Sequence, residues 1–335
     1  MNTHPKILVV GSFVMDTITS TEVFPAAGQT VLGYHYTTAP GGKGANQAME
    51  AALLGAEVTM VGKVGADAFG DRMVASLKSA GVEVSHVLRT DDGTSSGIGN
   101  VMITTQDGKA LNNRIIVIPG ANHKLTVDEV AFLENTIEDY DMVMLQFEIP
   151  MEVNRVVAEY AHRKKAPVML NPAPIAQIPE DLMKNITYLS PNETEAAELL
   201  DCFVRNENGP VSEQAVEEIK KAMKRKGLKK LLLTLGDAGA MMIENEKALL
   251  IPGVQGIAAV DPTAAGDSFV GAFCTAKVAG LTDAEAISFS NMIAARTVSL
   301  MGAQPSLSSL DQAIAFHQQA GRSTALLEKV KEILK

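Results

Sequence analysis

The run DPTAAGDSF at residues 261–269 places a carboxylate, Asp267, directly after a turn of small residues that opens a helix. Backbone N–H groups in such a turn can face an anion at the helix N-terminus, where unpaired donors and the helix dipole both favour negative charge. A carboxylate beside a bound phosphoryl group would repel it, but it can take a proton from an attacking hydroxyl. The run therefore predicts a kinase with Asp267 as its general base.

A second glycine-rich run, GGKGANQ at residues 41–47, precedes a helical pattern. Its glycines allow the backbone to approach a ligand closely, and Lys43 and Asn46 supply side-chain donors. A nucleotide P-loop needs Ser or Thr where Gly44 stands, and a dinucleotide fingerprint needs Gly where Gln47 stands, so the run fits neither motif. Taken alone, it is either a ligand-binding turn or only the start of a helix.

Three further sites each allow two interpretations. Asp16 follows the first predicted strand, where a carboxylate could accept hydrogen bonds from two adjacent sugar hydroxyls or could serve only as a turn or cap residue. Asn192 and Glu195 could form a capping box or could hold waters bound to magnesium. The run TLGDAG at 234–239 could let a nucleotide lie across its two glycines or could be a tight turn from a strand into a hairpin.

Short apolar runs alternate with longer helical patterns along the chain. Strands are predicted at residues 7–10, 58–61, 142–145, 168–170, 188–189 and 231–235, and helices at 45–54, 68–79, 153–163, 193–200, 213–226 and 284–300. This order predicts a doubly wound, mainly parallel sheet with helices on both faces. Ligands bind beyond the carboxyl ends of the strands in such sheets, which is where the polar runs described above lie.

Two segments, 17–38 and 98–118, instead show period-2 patterns around turn signals such as QDGK at 106–109. We interpret them as hairpins that form a small sheet, acting as a lid over the site or as an oligomer contact. No linker divides the chain, so residues 1–335 are predicted to form one α/β domain carrying these two insertions. The pattern at 326–334 predicts an amphipathic C-terminal helix docked on the body or on a partner subunit.

The composition excludes several classes of partner. The net charge of −10 argues against nucleic acid and anionic membranes, and no apolar run reaches the ~18 residues of a membrane span. Cys202 and Cys274 lack metal-ligand spacing and are interpreted as reduced packing residues, which suits the cytoplasm. None of the six histidines lies in a metal or catalytic-triad pattern.

Taken together, the chain resembles the ribokinase family of sugar and nucleoside kinases over residues 6–318. The likeness depends on the order and spacing of the runs at residues 41–47, 171–174, 191–195, 234–239, 261–269 and 302–306. It implies a ribokinase-like fold and ATP-dependent phosphorylation of the 5-hydroxyl of D-ribose. It also implies a homodimer formed through the small sheet.

The resemblance implies a role for each matching residue. The sugar would be held by Asp16, Gly42, Lys43, Asn46, Glu148 and Asp267, and Asp267 would be the base. The anion hole would comprise Ala264, Ala265 and Gly266. ATP would be contacted by Asn192, Thr234, Gly236, Gly239, Gly266 and Asn291, with Mg²⁺ held through waters near Glu195. A monovalent cation, K⁺, would order the anion-hole loop from a set made largely of backbone carbonyls at Asp261, Thr263, Thr297, Leu300, Gly302 and Ser306.

One departure from the family pattern affects the expected substrate. Val14 stands where these kinases commonly carry Asn, and an apolar group cannot pair with a sugar hydroxyl. Asn100 on the predicted lid is our candidate for the missing donor. A kinase of 2-deoxyribose, another sugar or a nucleoside therefore remains open. A non-catalytic sugar-binding protein would be expected to lack Asp267 or Gly266, and an oxidoreductase would need the missing dinucleotide fingerprint.

Overall fold

The computed structural model describes residues 5–106, 109–205 and 209–335. The strands in chain order are β1 Lys6–Val10, β2 Val14–Thr21, β3 Gly33–Gly41, β4 Glu57–Val64, β5 Val87–Arg89, β6 Gly97–Gln106, β7 Lys109–Ile118, β8 Met142–Gln146, β9 Val168–Asn171, β10 Tyr188–Leu189, β11 Lys230–Thr234, β12 Ala240–Glu244 and β13 Lys247–Ile251. The α-helices are α1 Lys43–Leu53, α2 Ala68–Ser79, α3 Val127–Val130, α4 Met151–Lys164, α5 Glu180–Asn185, α6 Glu193–Leu200, α7 Glu213–Lys226, α8 Ala265–Val278, α9 Asp283–Thr297, α10 Leu310–Gln319 and α11 Ala325–Ile333.

Nine strands form the large sheet in the order β13-β12-β11-β10-β9-β8-β1-β4-β5. The strands from β11 through β10, β9, β8, β1 and β4 to β5 pair in parallel, and only the β11–β12 and β12–β13 pairs are antiparallel. The chain leaves β1 toward β4 on one side and returns to β8 on the other. The carboxyl ends of β1 and β8 therefore meet at a topological switch point, where such sheets bind ligands.

Helices cover both faces of this sheet, as the apolar runs predict. Ile7 and Val9 of β1 pack into a core that also includes residues of α1, α2, α8 and α9. Leu8 and Val10, on the opposite face of the same strand, pack into a second core with α4, α6 and α7. Each central strand is thus buried on both sides, which explains why its sequence is apolar without interruption.

Every predicted strand and helix is present, with shifted ends in several cases. The largest shift is in α9, predicted to run to residue 300 but ending at Thr297. Beyond that point the Val298 carbonyl accepts the N–H groups of Val260 (2.7 Å) and Asp261 (3.1 Å). This part of the chain therefore binds the loop before α8. The sequence did not lead us to assign β5, β12, β13, α3, α5 or α10.

A separate four-stranded sheet has the order β3-β2-β6-β7. Its two antiparallel hairpins are joined by a parallel β2–β6 pair that aligns Asp16 with Gly99. The predicted small sheet is therefore present, but β2 begins at Val14 and β6 at Gly97, before the predicted starts at residues 17 and 98. Asp16 lies within β2 and is not a turn residue. Of the predicted turn at 106–109, Asp107 and Gly108 lie outside the described residues.

The C-terminal helix α11 docks on the body through its apolar stripe, where Leu327 and Val330 are fully buried. No helix in the described ranges is long and apolar enough to cross a membrane. Cys274 is buried, Cys202 is half-buried and both are free thiols. The division of the chain into one domain with insertions at 17–38 and 98–118 stays a prediction.

Candidate active site

The switch point is lined by polar residues that follow β1 and β8. Ser12 comes two residues after β1, and its hydroxyl donates a 2.5 Å hydrogen bond to Oε2 of Glu148, two residues after β8. The same carboxylate oxygen accepts the backbone N–H of Lys43 at the start of α1 (2.9 Å). Glu148 therefore occupies the N-terminus of α1, where a negative charge is stabilised.

The glycines of the 41–47 run serve the close approach of α1 to the small sheet. Gly42 caps α1 with a φ of 97°, and a Cβ there would lie 2.7 Å from the backbone nitrogen of Val14. A Cβ on Gly44 would lie 2.5 Å from the backbone nitrogen of Ser12. The run is the start of a helix, and the same glycines bring Lys43 and Asn46 to the switch point.

Asp267 faces these residues from the first turn of α8. Its carboxylate is 7% exposed and accepts hydrogen bonds from the Asn46 side chain (Nδ2 to Oδ2, 2.9 Å) and the Gln47 side chain (Nε2 to Oδ1, 3.1 Å). The Asn46 Oδ1 atom is buried and has no hydrogen-bond partner among the described residues. That oxygen is available to a hydroxyl of a bound molecule.

The turn before α8 has the backbone shape that the small residues predict. Ala264 caps the helix at a φ of 61°, and nothing lies within 4 Å of where a Cβ of Gly266 would be. The Ala265 N–H donates to the Pro262 carbonyl (3.1 Å), so this group is already paired. The following N–H groups, which have no intrahelical acceptor by their position, are the ones left for an anion beside open space at Gly266.

Lys43 lies near three carboxylates with different predicted roles: Glu148 for the sugar, Asp267 as the base and Glu195 for magnesium. Burial alone would lower the pKa of Lys43, but the carboxylates of Asp267, Glu148 and Glu195 raise it above its ordinary value. An ammonium group among three carboxylates partly neutralises a cleft that would otherwise repel a phosphate.

Asp16 occupies a gap between two glycines of the small sheet. Its Oδ2 lies 3.0 Å from where a Cβ of Gly41 would be, and its Oδ1 would overlap a Cβ on Gly99. Burial, and then the charge of Glu148, raise the pKa of Asp16 to about 6. A carboxylate held in this partly desolvated position gains from hydroxyl donors that replace the lost water.

The predicted nucleotide residues form a second, adjoining group. Asn192 and Glu195 make a complete capping box at the start of α6, with both hydrogen bonds at 2.9 Å. The Thr234 N–H donates to the Pro191 carbonyl (3.0 Å), which places the end of β11 beside that cap. Burial is the main cause that raises the pKa of Glu195, with Asp267 adding to it.

The turn after β11 leads into an antiparallel strand, as the hairpin interpretation of residues 234–239 requires. Gly239 has a φ of 99° and packs against the backbone of Ile251, to which the Asn291 side chain also donates (3.3 Å). Asn291 is thereby held next to this turn. A direct contact between Asn291 and the sugar residues is not among the hydrogen bonds of the described residues.

The predicted cation residues lie at the end of α9 and on two loops that Asp261 joins. One carboxylate oxygen of Asp261 accepts the Thr263 N–H (2.9 Å), and the other accepts the Gly302 N–H (2.8 Å). Ser306 and Thr297 are fully buried, while Leu300 is 38% exposed. The set offers carboxylate, hydroxyl and carbonyl oxygens only, which is the donor chemistry of an alkali cation.

Sequence reasoning missed Ser12, Gln47 and Gly99 and misplaced Asn100. In β6, Gly99 pairs with Asp16, whereas Asn100 pairs with Thr17. Because successive side chains of a strand point to opposite faces, Asn100 lies on the face opposite Asp16 and Val14 and cannot replace the missing donor. The glycine at 99 was the available signal, since a glycine inside a strand marks the close approach of another group.

Comparison with known proteins agrees with this geometry. A family model described as pfkB family carbohydrate kinase matches residues 4–310. The ribokinase of Bacillus subtilis (strain 168) is 37% identical over 299 residues, covering 89% of this chain and 94% of that protein. A deoxyribokinase of Salmonella typhi is 29% identical over 307 residues, covering 91% and 96%. The structure of Arabidopsis thaliana ribokinase complexed with ribose and ATP matches with a TM-score of 0.81 at 30% identity, covering 99% of both chains.

The chain belongs to the pfkB family of carbohydrate kinases. The predicted ribokinase-like fold and the predicted class, an ATP-dependent carbohydrate kinase, are both confirmed.

Proposed function

We propose that the protein transfers the γ-phosphoryl group of ATP to the 5-hydroxyl of D-ribose, with Asp267 as the general base. The observation that carries the proposal is the position of Asp267, in the first turn of α8 and hydrogen-bonded to Asn46 of the glycine-rich run. Asp267 therefore lies between the residues assigned to sugar binding and the turn assigned to phosphate binding. The ribose and ATP complex of the Arabidopsis relative supports the same pair of substrates.

In this proposal the sugar lies between the small sheet and the start of α1. Asp16 and Glu148 accept hydrogen bonds from its hydroxyls, while the ammonium of Lys43 donates, and the backbone of Gly42 borders the ring. The unpaired Oδ1 of Asn46 accepts a further hydroxyl. Both carboxylates are partly removed from water, so hydroxyl donors replace hydration and improve binding.

The phosphoryl group lies at the start of α8, in front of Ala264, Ala265 and Gly266. Asp267 takes the proton of the attacking hydroxyl, and the N–H groups of the turn stabilise the charge that develops on the phosphoryl oxygens. Asn192, Thr234, Gly236, Gly239 and Asn291 hold the nucleotide along the adjoining strand ends. Alignment and electrostatics supply the rate, because phosphoryl transfer needs little covalent work from the protein.

The oxygen-rich surroundings of the site fit two metal ions. Mg²⁺ would be held through waters near Glu195 and would neutralise charge on the nucleotide phosphates. K⁺ would be held by the loops around Asp261 and Gly302, and the Asp261 loop continues directly into the turn before α8. We place the reaction in the cytoplasm, which keeps the two free thiols reduced.

The substitution Asp267→Asn tests the assignment of the base. It keeps the shape of the side chain, so affinities for ribose and ATP should stay nearly unchanged in calorimetry while kcat falls about 100-fold or more. Asp283→Asn is the matched control, because Asp283 is also in a first helical turn but pairs with Lys277 (2.7 Å) away from the site. Near-normal turnover of the Asp267 variant would remove the assignment.

A second candidate substrate, 2-deoxyribose, is favoured by one observation. Val14 lies on the same face of β2 as Asp16 and is 6% exposed. An apolar side chain therefore lies next to the carboxylate that is proposed to bind the sugar. A sugar lacking one hydroxyl would leave no donor unpaired there. Measuring kcat/KM for ribose and 2-deoxyribose with an ADP-coupled assay decides between them.

We further propose a homodimer formed through the small sheet. The face of the sheet opposite Asp16 exposes large apolar side chains on its outer strands, at Tyr34, Tyr36, Ile116 and Ile118. Monomers rarely leave such a patch uncovered, and a second copy of the same sheet would bury it. Sedimentation equilibrium should give twice the chain mass, and a monomer at micromolar concentration would contradict the proposal.

A further inference from the structure

Behind Asp267, a line of buried carboxamides runs into the large sheet. Gln47 of α1 is fully buried and donates through Nε2 to Oδ1 of Asp267 (3.1 Å) and to Oδ1 of Asn171 at the end of β9 (3.2 Å). Its own Oε1 accepts Nε2 of Gln146, the last residue of β8 (2.7 Å). Three elements thus meet at one side chain that the mechanism above does not use.

The hydrogen bonds allow only one orientation of the Gln47 amide. Because Gln146 donates to the Gln47 oxygen, the Gln47 NH₂ group faces Asp267, and both of its hydrogens are used. Asn171 is fixed in turn, since its Nδ2 donates to the Ser190 carbonyl (2.8 Å) and leaves its oxygen toward Gln47. A flipped amide would place the Gln47 oxygen against the Asp267 carboxylate, which is electrostatically unfavourable.

The two oxygens of Asp267 therefore have different surroundings. Oδ1 is held by Gln47, which is closed off from solvent on the side of the large sheet. Oδ2 is held by Asn46, whose own oxygen is still unpaired. A carboxylate anchored through one oxygen cannot rotate about its Cβ–Cγ bond without breaking a buried hydrogen bond, at a cost of about 1 to 3 kcal/mol.

We propose that Gln47 is a positioning residue for the phosphoryl-transfer reaction, anchoring Oδ1 of Asp267 so that Oδ2 takes the proton from the attacking hydroxyl. This inference rests on the proposed role of Asp267 as the base. Gln47 makes no contact with sugar or nucleotide in this arrangement and acts only through Asp267. Gln146 supports it by fixing which end of the Gln47 amide faces the base.

The test uses Gln47→Met, which keeps the length of the side chain and removes the donor. We expect kcat to fall about 10- to 100-fold, the scale for misplacing a reacting group, while KM for sugar and for ATP each change less than about twofold. Gln146→Met should give a smaller fall of the same kind, because Gln47 keeps its donor but loses its fixed orientation. Thr275→Val is the matched control, since it removes one buried hydrogen bond of α8, to the Gly271 carbonyl, and should leave kcat unchanged.

A double-mutant cycle separates positioning from a general effect on the fold. In the Asp267→Asn background, Gln47→Met should cause no further fall in kcat, because the group that Gln47 positions is already inactive. An equal fall in both backgrounds, or wild-type kcat in Gln47→Met, would overturn the positioning role. If Gln47→Met does not fold, the same two criteria apply to Gln146→Met. Asp267→Asn measured alone reports on the base itself, so failure of that assignment is recognised separately.

Discussion

Replacing Asp16 by Asn should make the protein more stable while destroying sugar binding. Burial, and then the Glu148 charge, raise the pKa of Asp16 from 3.8 to about 6. At neutral pH the folded protein therefore carries a carboxylate that would be better solvated in the unfolded chain. An amide of the same shape removes the charge, so the free energy of unfolding should rise.

The size of the gain follows from the pKa. A change of about 2 corresponds to ~3 kcal/mol, which is an upper bound, since Asp16 is half-buried and screening by water reduces it to ~1–2 kcal/mol. The size of the gain depends on pH. The folded state binds a proton that the unfolded state releases between pH 3.8 and about 6, so this destabilisation is absent below that window and complete above it. At pH 5 the gain should be about half of its value at pH 8.

The assay is scanning calorimetry of wild type and Asp16→Asn at pH 5 and pH 8. With about 2.1 cal/mol/K of unfolding entropy per residue, ~1–2 kcal/mol corresponds to a rise in Tm of about 1 to 3 °C at pH 8 for a chain of 335 residues. Asp67→Asn is the control and should lower Tm, because hydrogen bonds from Ser96 and Gly70 outweigh burial and lower the pKa of Asp67. A lower or pH-independent Tm for Asp16→Asn would refute the reasoning, as would retained sugar affinity.

Three other substitutions test the buried face of α1 and two positions beside Asp16. Burial raises the pKa of the fully buried Glu50 to about 8, so Glu50 should lower wild-type stability as pH rises from about 4.5 to 8; Glu50→Gln should remove this part of the fall in a Tm-versus-pH series, and an unchanged series would contradict it. A Cβ at residue 99 would overlap Oδ1 of Asp16, so Gly99→Ala should raise KM for the sugar about tenfold or more and leave KM for ATP nearly unchanged; an unaltered sugar KM would contradict the packing. Val14→Asn restores a donor beside Asp16 and should raise the ribose to 2-deoxyribose ratio of kcat/KM by roughly 5- to 150-fold, and an unchanged ratio would show that residue 14 does not contact the sugar.

The parts of the fold that the sequence predicted are those specified by local patterns. The turn at 261–269 that opens a helix and the glycine-rich run at 41–47 could each be predicted from a short segment, because small residues followed by apolar residues at helical spacing are local signals. The pairing of β2 with β6 is not local. Asp16 and Gly99 are brought together only by the register of strands far apart in sequence, and a displacement of one residue exchanges the faces. The Asn100 hypothesis failed for that reason.

Gln47 was missed for a related reason. Its hydrogen-bond partners lie 99, 124 and 220 residues away in sequence, and a glutamine in a helix ordinarily indicates a solvated face. Only the position of α1 against β8, β9 and α8 shows that this side chain is buried and fully paired. The capping box of Asn192 and Glu195, by contrast, could be predicted from the sequence because all its atoms lie within four residues.

The contact between α1 and α8 sets the geometry of the base. Gly271 lies one helical turn after Asp267 on the same face of α8, and a Cβ there would lie 2.9 Å from the Gln47 carbonyl and 3.1 Å from Cβ of Glu50. A glycine inside a helix costs about 1 kcal/mol relative to Ala, so its presence needs a compensating gain. The gain is that the two helix axes approach closely enough for the short side chain of Asp267 to reach Asn46 and Gln47 together. Because both helices start at the cleft, one backbone contact fixes the sugar-binding run and the phosphate-binding turn relative to each other, which in-line transfer requires.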